Sequence, residues 1–407
     1  MPRNGSNYKA QNCWTTRVVC AVLFLLFTFC WLYWFQADML AVAQHGLSGG
    51  KTHYDRTVGA VISTVVLYLL HLLVYAIVRL TRRSHALTYF PSFLLLAFIS
   101  SASYPFSWGA WLWAAPLLLL LWGGAVWLAK KVDPFANDSK EPIGLFSRRM
   151  WLNLLQLIVM MLGVAAVSDT NAVNHFKAHA EVALQHGDAD EALRVGERSL
   201  ETDESLTMLR IFALSQKGEL GERLFDYPVV GSHLDVLPLL GSKAQLQLMA
   251  DTVIWDHFGV RPDSIMERAD SMGRARIVGS QLTASQYLDS LECDTLATLA
   301  YRDYKLVGSL IDRQLDSFAV QLPRYYALND TLPRHYREAL VLYQQLHHDA
   351  PAPGVPDSLF IYKDSLTTLR WQDFHQYDSI YPRKSERRIR TEKDFRGTYW
   401  YYYFSKD

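Results

Sequence analysis

Cysteine is scarce in this chain, with four in 407 residues: Cys13, Cys20, Cys30 and Cys293. Only Cys293 lies beyond the first thirty residues, so no disulfide closes within the C-terminal part, and its stability has to come from helix packing. A lone cysteine there reads as a small buried hydrophobe. Net charge is missing as well. The 40 basic residues balance 40 acidic ones, which removes any bulk electrostatic case for nucleic acid. Catalytic signatures are missing too. There is no Gly-x-Ser-x-Gly elbow and no pair of zinc-binding cysteines, and Lys51 follows Gly49 and Gly50 without the spacing or strand of a phosphate loop. These absences point away from an enzyme and imply no catalytic residue, cofactor or metal.

Charge is also absent from five long apolar runs, and here the chain declares itself. A bilayer core about 30 Å thick needs roughly 18 to 25 apolar residues per helix, because it holds no water to satisfy exposed backbone groups. The runs are Val18 to Phe35, Val58 to Val78, Leu87 to Tyr104, Gly109 to Ala129 and Met150 to Val167. The third is diluted by Pro91, Ser100, Ser101 and Ser103, and with the short connector Pro105 to Trp108 it reads as one arm of a tight hairpin. Trp31, Tyr33, Trp34, Trp108, Trp111, Trp113, Trp127 and Trp151 sit at the run ends, as membrane-interface aromatics do.

Basic residues favour cytoplasmic loops. They fall in alternate connectors: Arg3, Lys9 and Arg17, then Arg79, Arg82 and Arg83, then Lys130, Lys131, Lys140, Arg148 and Arg149, against only Lys51 and Arg56 in the opposite set. The expected layout is a cytoplasmic N-terminus (1–17), a transmembrane domain (18–167) and everything from residue 168 across the membrane. Ala41 and Ala43 resemble a signal-peptidase site, but the first run is long and ends in bulky aromatics well before them, so it reads as an uncleaved anchor. Within the spans the one ionisable group at depth is His71. Asn153 and Gln156 are its candidate partners, and a polar bond between packed helices accounts for them better than an ion pathway. The loop Gln36 to Thr57 places Ser48, His53 and Asp55 near a glycine pair, and turn chemistry is the better reading of it.

From Asn171 the periodicity becomes that of short amphipathic helices. Phe176, Ala180 and Ala183 share a face. Gly187 and Asp188 break the helix, and Ala189, Ala192, Leu193, Gly196 and Leu200 make the next stripe, with Asp188 and Glu191 in capping-box spacing. This helix, glycine turn, helix unit resembles a tetratricopeptide repeat, though Glu204 stands where the closing proline is usual and Gly196 replaces a large residue. A second, shorter unit runs from Leu206 to Pro228. Further helices are expected over Ala244 to Phe258, Pro262 to Met272, Thr295 to Leu322 with a break near Tyr304, Leu332 to His347, and Asp357 to Tyr377. The fold class is all-α: a five-span transmembrane block followed by a tetratricopeptide-like helical domain (168–349) and a C-terminal helix with a basic and aromatic tail (350–407).

The tail carries Arg383, Lys384, Arg387, Arg388, Arg390 and Lys393, then Tyr399, Trp400, Tyr401, Tyr402 and Phe404. Such a mixture suits a membrane surface or a partner groove, and a terminal strand or coil packed on its own domain is the competing expectation. For metals, His179 with His186, and His347, His348 and Asp349, lack convergent spacing, while His335 and Glu338, one turn apart, read as a surface pair.

Gly218 to Pro228, Leu322 to Tyr343 with His335 to Ala339, and Gly397 to Phe404 together resemble an uncharacterised family of bacterial multi-pass membrane proteins. The resemblance brings no activity. It implies an inner-membrane protein with a periplasmic helical domain. Two functions remain in view. One is a membrane-anchored interaction protein that presents this domain to a protein or peptide partner. The other is a non-catalytic subunit of a transport or envelope-biogenesis complex, with His53, His71, Asn153 and Gln156 near a shared site.

Overall fold

The computed structural model describes residues 4–80, 83–101, 109–132, 147–239, 241–259, 283–291, 298–347 and 352–405. Among these residues there are nineteen α-helices and no strand. The chain divides into two compact units, Met1–His175 and Phe176–Asp407. The expectations for Pro262 to Met272, Cys293, His348 and the connector Pro105 to Trp108 fall outside the described residues.

In the first unit α1 (Asn4–Cys30) runs into a π-helical turn (Trp31–Phe35), followed by α2 (Ala37–Ser48), α3 (Arg56–Val78), a 3₁₀ segment (His85–Tyr89), α4 (Phe90–Ser100), α5 (Trp111–Val132) and α6 (Arg148–Val167). Local chemistry sets the starts. Asp55 accepts a bond from the Val58 N–H at 2.7 Å, and Ser147 accepts one from Met150 at 3.2 Å, each satisfying an orphan donor of a first turn. Gly59 leaves room for the Tyr54 ring, since a Cβ there would stand 2.3 Å from it.

Among the described residues four helices, not five, have the length and composition to cross a bilayer: Trp14–Phe35, Arg56–Val78, Trp111–Val132 and Arg148–Val167. The expected third span, Leu87 to Tyr104, is a shorter apolar helix, His85–Ser100. Pro91 stands in the first turn of α4, and the five residues before it wind as 3₁₀. This segment still runs from one end of the bundle to the other. At its start the Ala86 N–H donates to Asn153 in the second turn of α6. At its end the Ser100 hydroxyl accepts from the Trp31 indole at 2.9 Å and the Ser100 carbonyl accepts from the Asp169 N–H at 3.2 Å. Around it Cys20, Phe24, Leu67, Tyr89, Phe93, Leu96 and Leu157 form the core, while Val61, Ile62, Leu120, Leu121, Ile158 and Val159 face outward. An apolar exterior of this kind is stable in lipid, not in water.

The second unit begins with two helical pairs, α7 (Ala172–Gln185) with α8 (Ala189–Arg194) and α9 (Glu204–Lys217) with α10 (Leu220–Arg223). Asp188 caps α8 and Asp203 caps α9. The second helix of each pair is only one or two turns long, so the repeat-like pairing is truncated. Every residue from Ser205 to Ser215 is buried, which makes α9 the central rod of the unit rather than an amphipathic surface helix.

Beyond it come α11 (Asp251–Phe258), α12 (Ala284–Leu291), α13 (Leu299–Ile311), α14 (Leu315–Tyr325), α15 (Arg334–Leu346), α16 (Ser358–Ile361), α17 (Ser365–Ile380), α18 (Lys384–Phe395) and α19 (Tyr399–Phe404). Two expectations are corrected here. The helix expected from Ala244 starts only at Asp251, because the buried Glu181 carboxylate takes the N–H groups of Gln247, Leu248 and Met249 at 2.6, 2.7 and 2.9 Å. Those donors are spent on a side chain and are lost to a helical ladder. The break expected near Tyr304 lies at Asp312 to Gln314. Tyr304 is mid-helix and fully buried, while Arg313 adopts a left-handed φ of 59° and sends its guanidinium to the carbonyls of Tyr402 and Tyr403 at 2.7 and 3.0 Å.

Replacing Glu181 with Ala orphans three buried N–H groups, each worth about 1 to 3 kcal/mol. The E181A protein in detergent is therefore expected to lose at least about 3 kcal/mol of stability, E181Q clearly less because an amide oxygen still accepts. Denaturant unfolding, with proteolysis between Ser242 and Ala250, reads both.

Candidate functional site

The second unit is closed by a single buried carboxylate. Glu338, on α15, accepts from the Arg334 guanidinium at 3.0 Å through one oxygen. Its other oxygen takes the His335 Nδ1–H at 3.0 Å and the Tyr399 backbone N–H at 2.8 Å. Its backbone carbonyl takes the Trp400 indole N–H at 2.8 Å. On the far side of the imidazole, Nε2 of His335 accepts from the Phe225 N–H at 3.3 Å, which fixes the tautomer. Arg334 also reaches Asp226 at 3.3 Å and the Gly397 carbonyl at 2.7 Å. Gly397 is required where it stands: its φ is +90°, and a Cβ would meet the Asp226 carboxylate at 3.0 Å. Three stretches far apart in sequence, around Phe225, His335 and Tyr399, thus meet at one point. His335 and Glu338 are 1% and 2% exposed, so the expected surface pair is instead the buried centre of the unit.

With α19 pinned there, its outer side becomes a wall. Between the end of α15 and α17, α18 and α19 lies a concavity of about 1100 Å³. Trp371, Phe374 and Phe404 floor it, with Phe374 stacked on Trp371 at 5.6 Å and on Phe404 at 6.0 Å. Trp371 and Phe374 lie one turn apart on α17, which sets both rings on one face. Tyr377 stands edge-on to Phe395 at 5.0 Å, and its hydroxyl donates to Asp394 at 2.8 Å, joining α17 to α18. Lys384, Arg387 and Arg388 make a cationic rim. Arg387 donates to the Tyr381 carbonyl at 3.2 Å, whereas Lys384 and Arg388 are exposed and form no ion pair among the described residues. Gln345, Ser385, Thr391 and Ser405 add neutral polar groups, and no Asp or Glu lines the space.

The tail residues singled out from the sequence divide in two. Tyr399 and Trp400 are fully buried against α15 and leave no surface for a partner or a membrane. Tyr402 is half-buried, donates to the Ile311 carbonyl at 2.8 Å and lies under the Arg313 guanidinium at 4.6 Å. Tyr401 and Phe404 face the groove, and Phe404 is 44% exposed. The tail is helical, neither strand nor coil, because Thr398 caps it by accepting from Tyr401 at 3.2 Å. The basic run before it is a helix as well. Sequence reasoning missed Trp371 and Phe374; their spacing from each other was visible, but not their alignment with Phe404.

Inside the membrane unit His71 does not meet Asn153 or Gln156. Its ring stacks on Tyr89 at 3.5 Å, and its Nδ1 lies 3.3 Å from the Thr88 hydroxyl. That hydroxyl is held by the His85 carbonyl at 2.7 Å, and His85 in turn contacts the Leu80 carbonyl. Asn153 bridges the Ala86 N–H and the Arg149 carbonyl, both at 2.8 Å. Each of these groups ties one helix to another, as polar side chains in packed membrane helices do. In the loop before α3, Ser48 accepts from the Thr52 N–H and Asp55 caps α3, so those side chains serve turns.

Other polar side chains of the second unit also meet one another. Ser215 contacts His257 at 2.9 Å, and burial lowers the His257 pKa. Asp303 accepts from Tyr326 at 2.6 Å and Tyr336 at 2.8 Å, and burial raises its pKa despite those bonds. Asp312 binds both the backbone N–H and the imidazole of His233. His179 reaches Glu191 and His186 its own helix, and no group of three metal-ligating side chains occurs among the described residues.

Burial pushes the Glu338 carboxyl up, but the His335 hydrogen bond, the Arg334 charge and the Tyr399 N–H prevail, so its folded pKa lies below the ordinary 4.5. A lowered carboxyl stabilises the fold above the unfolded value, and that stability is lost as pH falls through the folded one. Acidification below pH 4.5 is therefore expected to loosen the wild-type tail, read as faster proteolysis after Phe395. The E338A protein should show a loose tail at neutral pH and lose about 3 to 5 kcal/mol.

Residues 264–406, which include the junction's α15, the groove and the tail but none of the membrane-spanning helices, match the model of a family of unknown function, DUF6057. Comparison with curated proteins gave no match, and comparison with solved structures gave none either.

Proposed function

We propose that this is a membrane-anchored interaction protein whose helical second unit receives a segment of a protein or peptide partner in the groove floored by Trp371, Phe374 and Phe404. The observation that carries the reading is that groove: about 1100 Å³, aromatic at its base, cationic at its rim and lined by no acid. Ligand sites are concave, mostly apolar and furnished with a few polar groups, and aromatic and Arg side chains dominate the energetics of protein contacts. The truncated helical pairs α7/α8 and α9/α10 give the unit a tetratricopeptide-like start, and the membrane unit acts as its anchor. In the spans His71, Thr88, Asn153 and Ser100 are taken up in bonds within and between helices, which favours packing over a shared site at those positions.

The orientation belongs to the same reading. Basic clusters fall at Arg79 to Arg83 and again at Lys130 to Arg149, and both stay on the cytoplasmic side only if His85–Ser100 carries the chain across between them. That segment is short for a span, but it bonds to the beginning of α6 at one end and to Trp31 and Asp169 at the other. This reading counts His85–Ser100 as a fifth crossing beside the four long apolar helices and takes the second unit as the periplasmic part of a bacterial inner-membrane protein.

Two measurements test this. A reporter active only in the periplasm, fused after Asp407, is expected to work, and a cytosolic reporter at the same site to be silent; the reverse sinks the layout. A photo-crosslinking residue at position 404 is expected to capture a discrete protein or peptide that the same group at the lipid-facing position 120 does not. Identical products from both positions remove the groove as a partner site.

A further inference from the structure

Resting on that reading, we infer that the groove selects an acidic amphipathic peptide segment, one that presents a carboxylate next to a bulky apolar side chain. Charge complementarity decides the first half. Lys384, Arg387 and Arg388 line one side and no carboxylate lines any side; of the acids on the surrounding helices, Asp394 is held by Tyr377, Glu392 lines a different concavity and Glu338 lies in the buried junction. Two of these cations, Lys384 and Arg388, are without an ion pair among the described residues. A guanidinium fork facing a partly enclosed aromatic surface binds a carboxylate far better than one facing bulk water, because the charges are less screened there.

The floor decides the second half. Trp371, Phe374 and Phe404 form a continuous run of near-parallel rings, at interplanar angles of 28° and 29° between neighbours. Such a run leaves ring faces and edges for an aromatic or branched aliphatic side chain and rewards its burial. A peptide fits the remaining surface better than a lipid does. Ser385 and Thr391 stand around the opening, where their hydroxyl groups match the N–H and C=O of a backbone better than an acyl chain. The rim helix α18 and the floor helix α17 are tied together by the Tyr377 to Asp394 bond, so the cations and the rings keep a fixed separation for the ligand to match.

The test selects a phage library of random twelve-residue peptides against the full chain in nanodiscs of neutral lipid, then measures synthetic copies of the enriched peptides by fluorescence anisotropy. Enriched sequences are expected to carry Asp or Glu within two residues of an aromatic or Leu. Their affinity should drop at least tenfold when the acid is replaced by its amide, in the R388E variant, and on raising salt from 0.1 to 0.5 M, as charge-assisted contacts do. Arg388 and Phe404 are exposed, so R388E and F404A leave the folded unit intact, which circular dichroism checks. If enriched peptides lack an acidic bias and ignore R388E yet lose binding in F404A, the charge inference is overturned while the groove stands as a partner site. Enrichment that ignores both variants, no enrichment at all, or displacement of bound peptide by a short-chain anionic phospholipid but not by free peptide, overturns the inference; crosslinking from position 404 then judges the groove separately.

Discussion

A carboxylate buried away from water must be matched by donors or neutralised, and the second unit is arranged around the way Glu338 meets that demand. Its two oxygens and its carbonyl bind groups from α15 itself, from His335 and from the backbone and indole of the last helix. Removing any one partner leaves charge or an N–H unsatisfied in a dry interior, a larger effect than the bond itself contributes. The demand is therefore directional. It holds residues 397 to 400 in one place and leaves the other side of α19 free to form a wall. Phe225 and Asp226 complete the same junction from the opposite end of the unit's sequence, which couples the early helical pairs to the C-terminal tail.

The groove follows from that closure. Tyr399 and Trp400 face inward because Glu338 fixes them, so helical periodicity turns Tyr401 and Phe404 toward the groove, Phe404 onto Trp371 and Phe374. Arg313, in a left-handed conformation, takes the last free carbonyls of the tail and anchors its end. Aromatic surface and basic rim are thus held by rigid packing on both sides. In the membrane unit, by contrast, the hydrogen-bonded polar side chains serve helix packing. His71, His85, Thr88, Asn153 and Ser100 all join one helix to its neighbour, which is how a short, proline-started segment stays seated among longer helices.

Much of this was open to reading from the chain. Apolar length without charge marks lipid-crossing helices, since the physical requirement is local to each segment, and four of the five expected spans appear with ends shifted by a few residues. The helical pairs after residue 171, the cap at Asp188 and the helix expected over Leu332 to His347, observed as Arg334–Leu346, are likewise local matters of periodicity and turn chemistry. The errors came where a distant group intervened. Gln247 to Met249 have helical company in sequence, but Glu181, more than sixty positions earlier, captures their N–H groups. The pause at Arg313 depends on carbonyls of residues 402 and 403.

By itself, then, the sequence determined the class of the protein: an all-helical chain with apolar helices suited to a bilayer, followed by a helical region without disulfides. It also supplied the three motifs around Phe225, His335 and Tyr399. Only the tertiary structure decided that these motifs are one buried junction, that His335 and Glu338 lie inside rather than on the surface, and that half of the aromatic tail is core while Tyr401 and Phe404 line a groove. The physical reason is range. Helix length, capping and lipid compatibility are settled over a few residues, whereas the burial of a carboxylate depends on which distant donors the fold brings to it, as Tyr399 comes to Glu338 and Gln247 to Met249 come to Glu181.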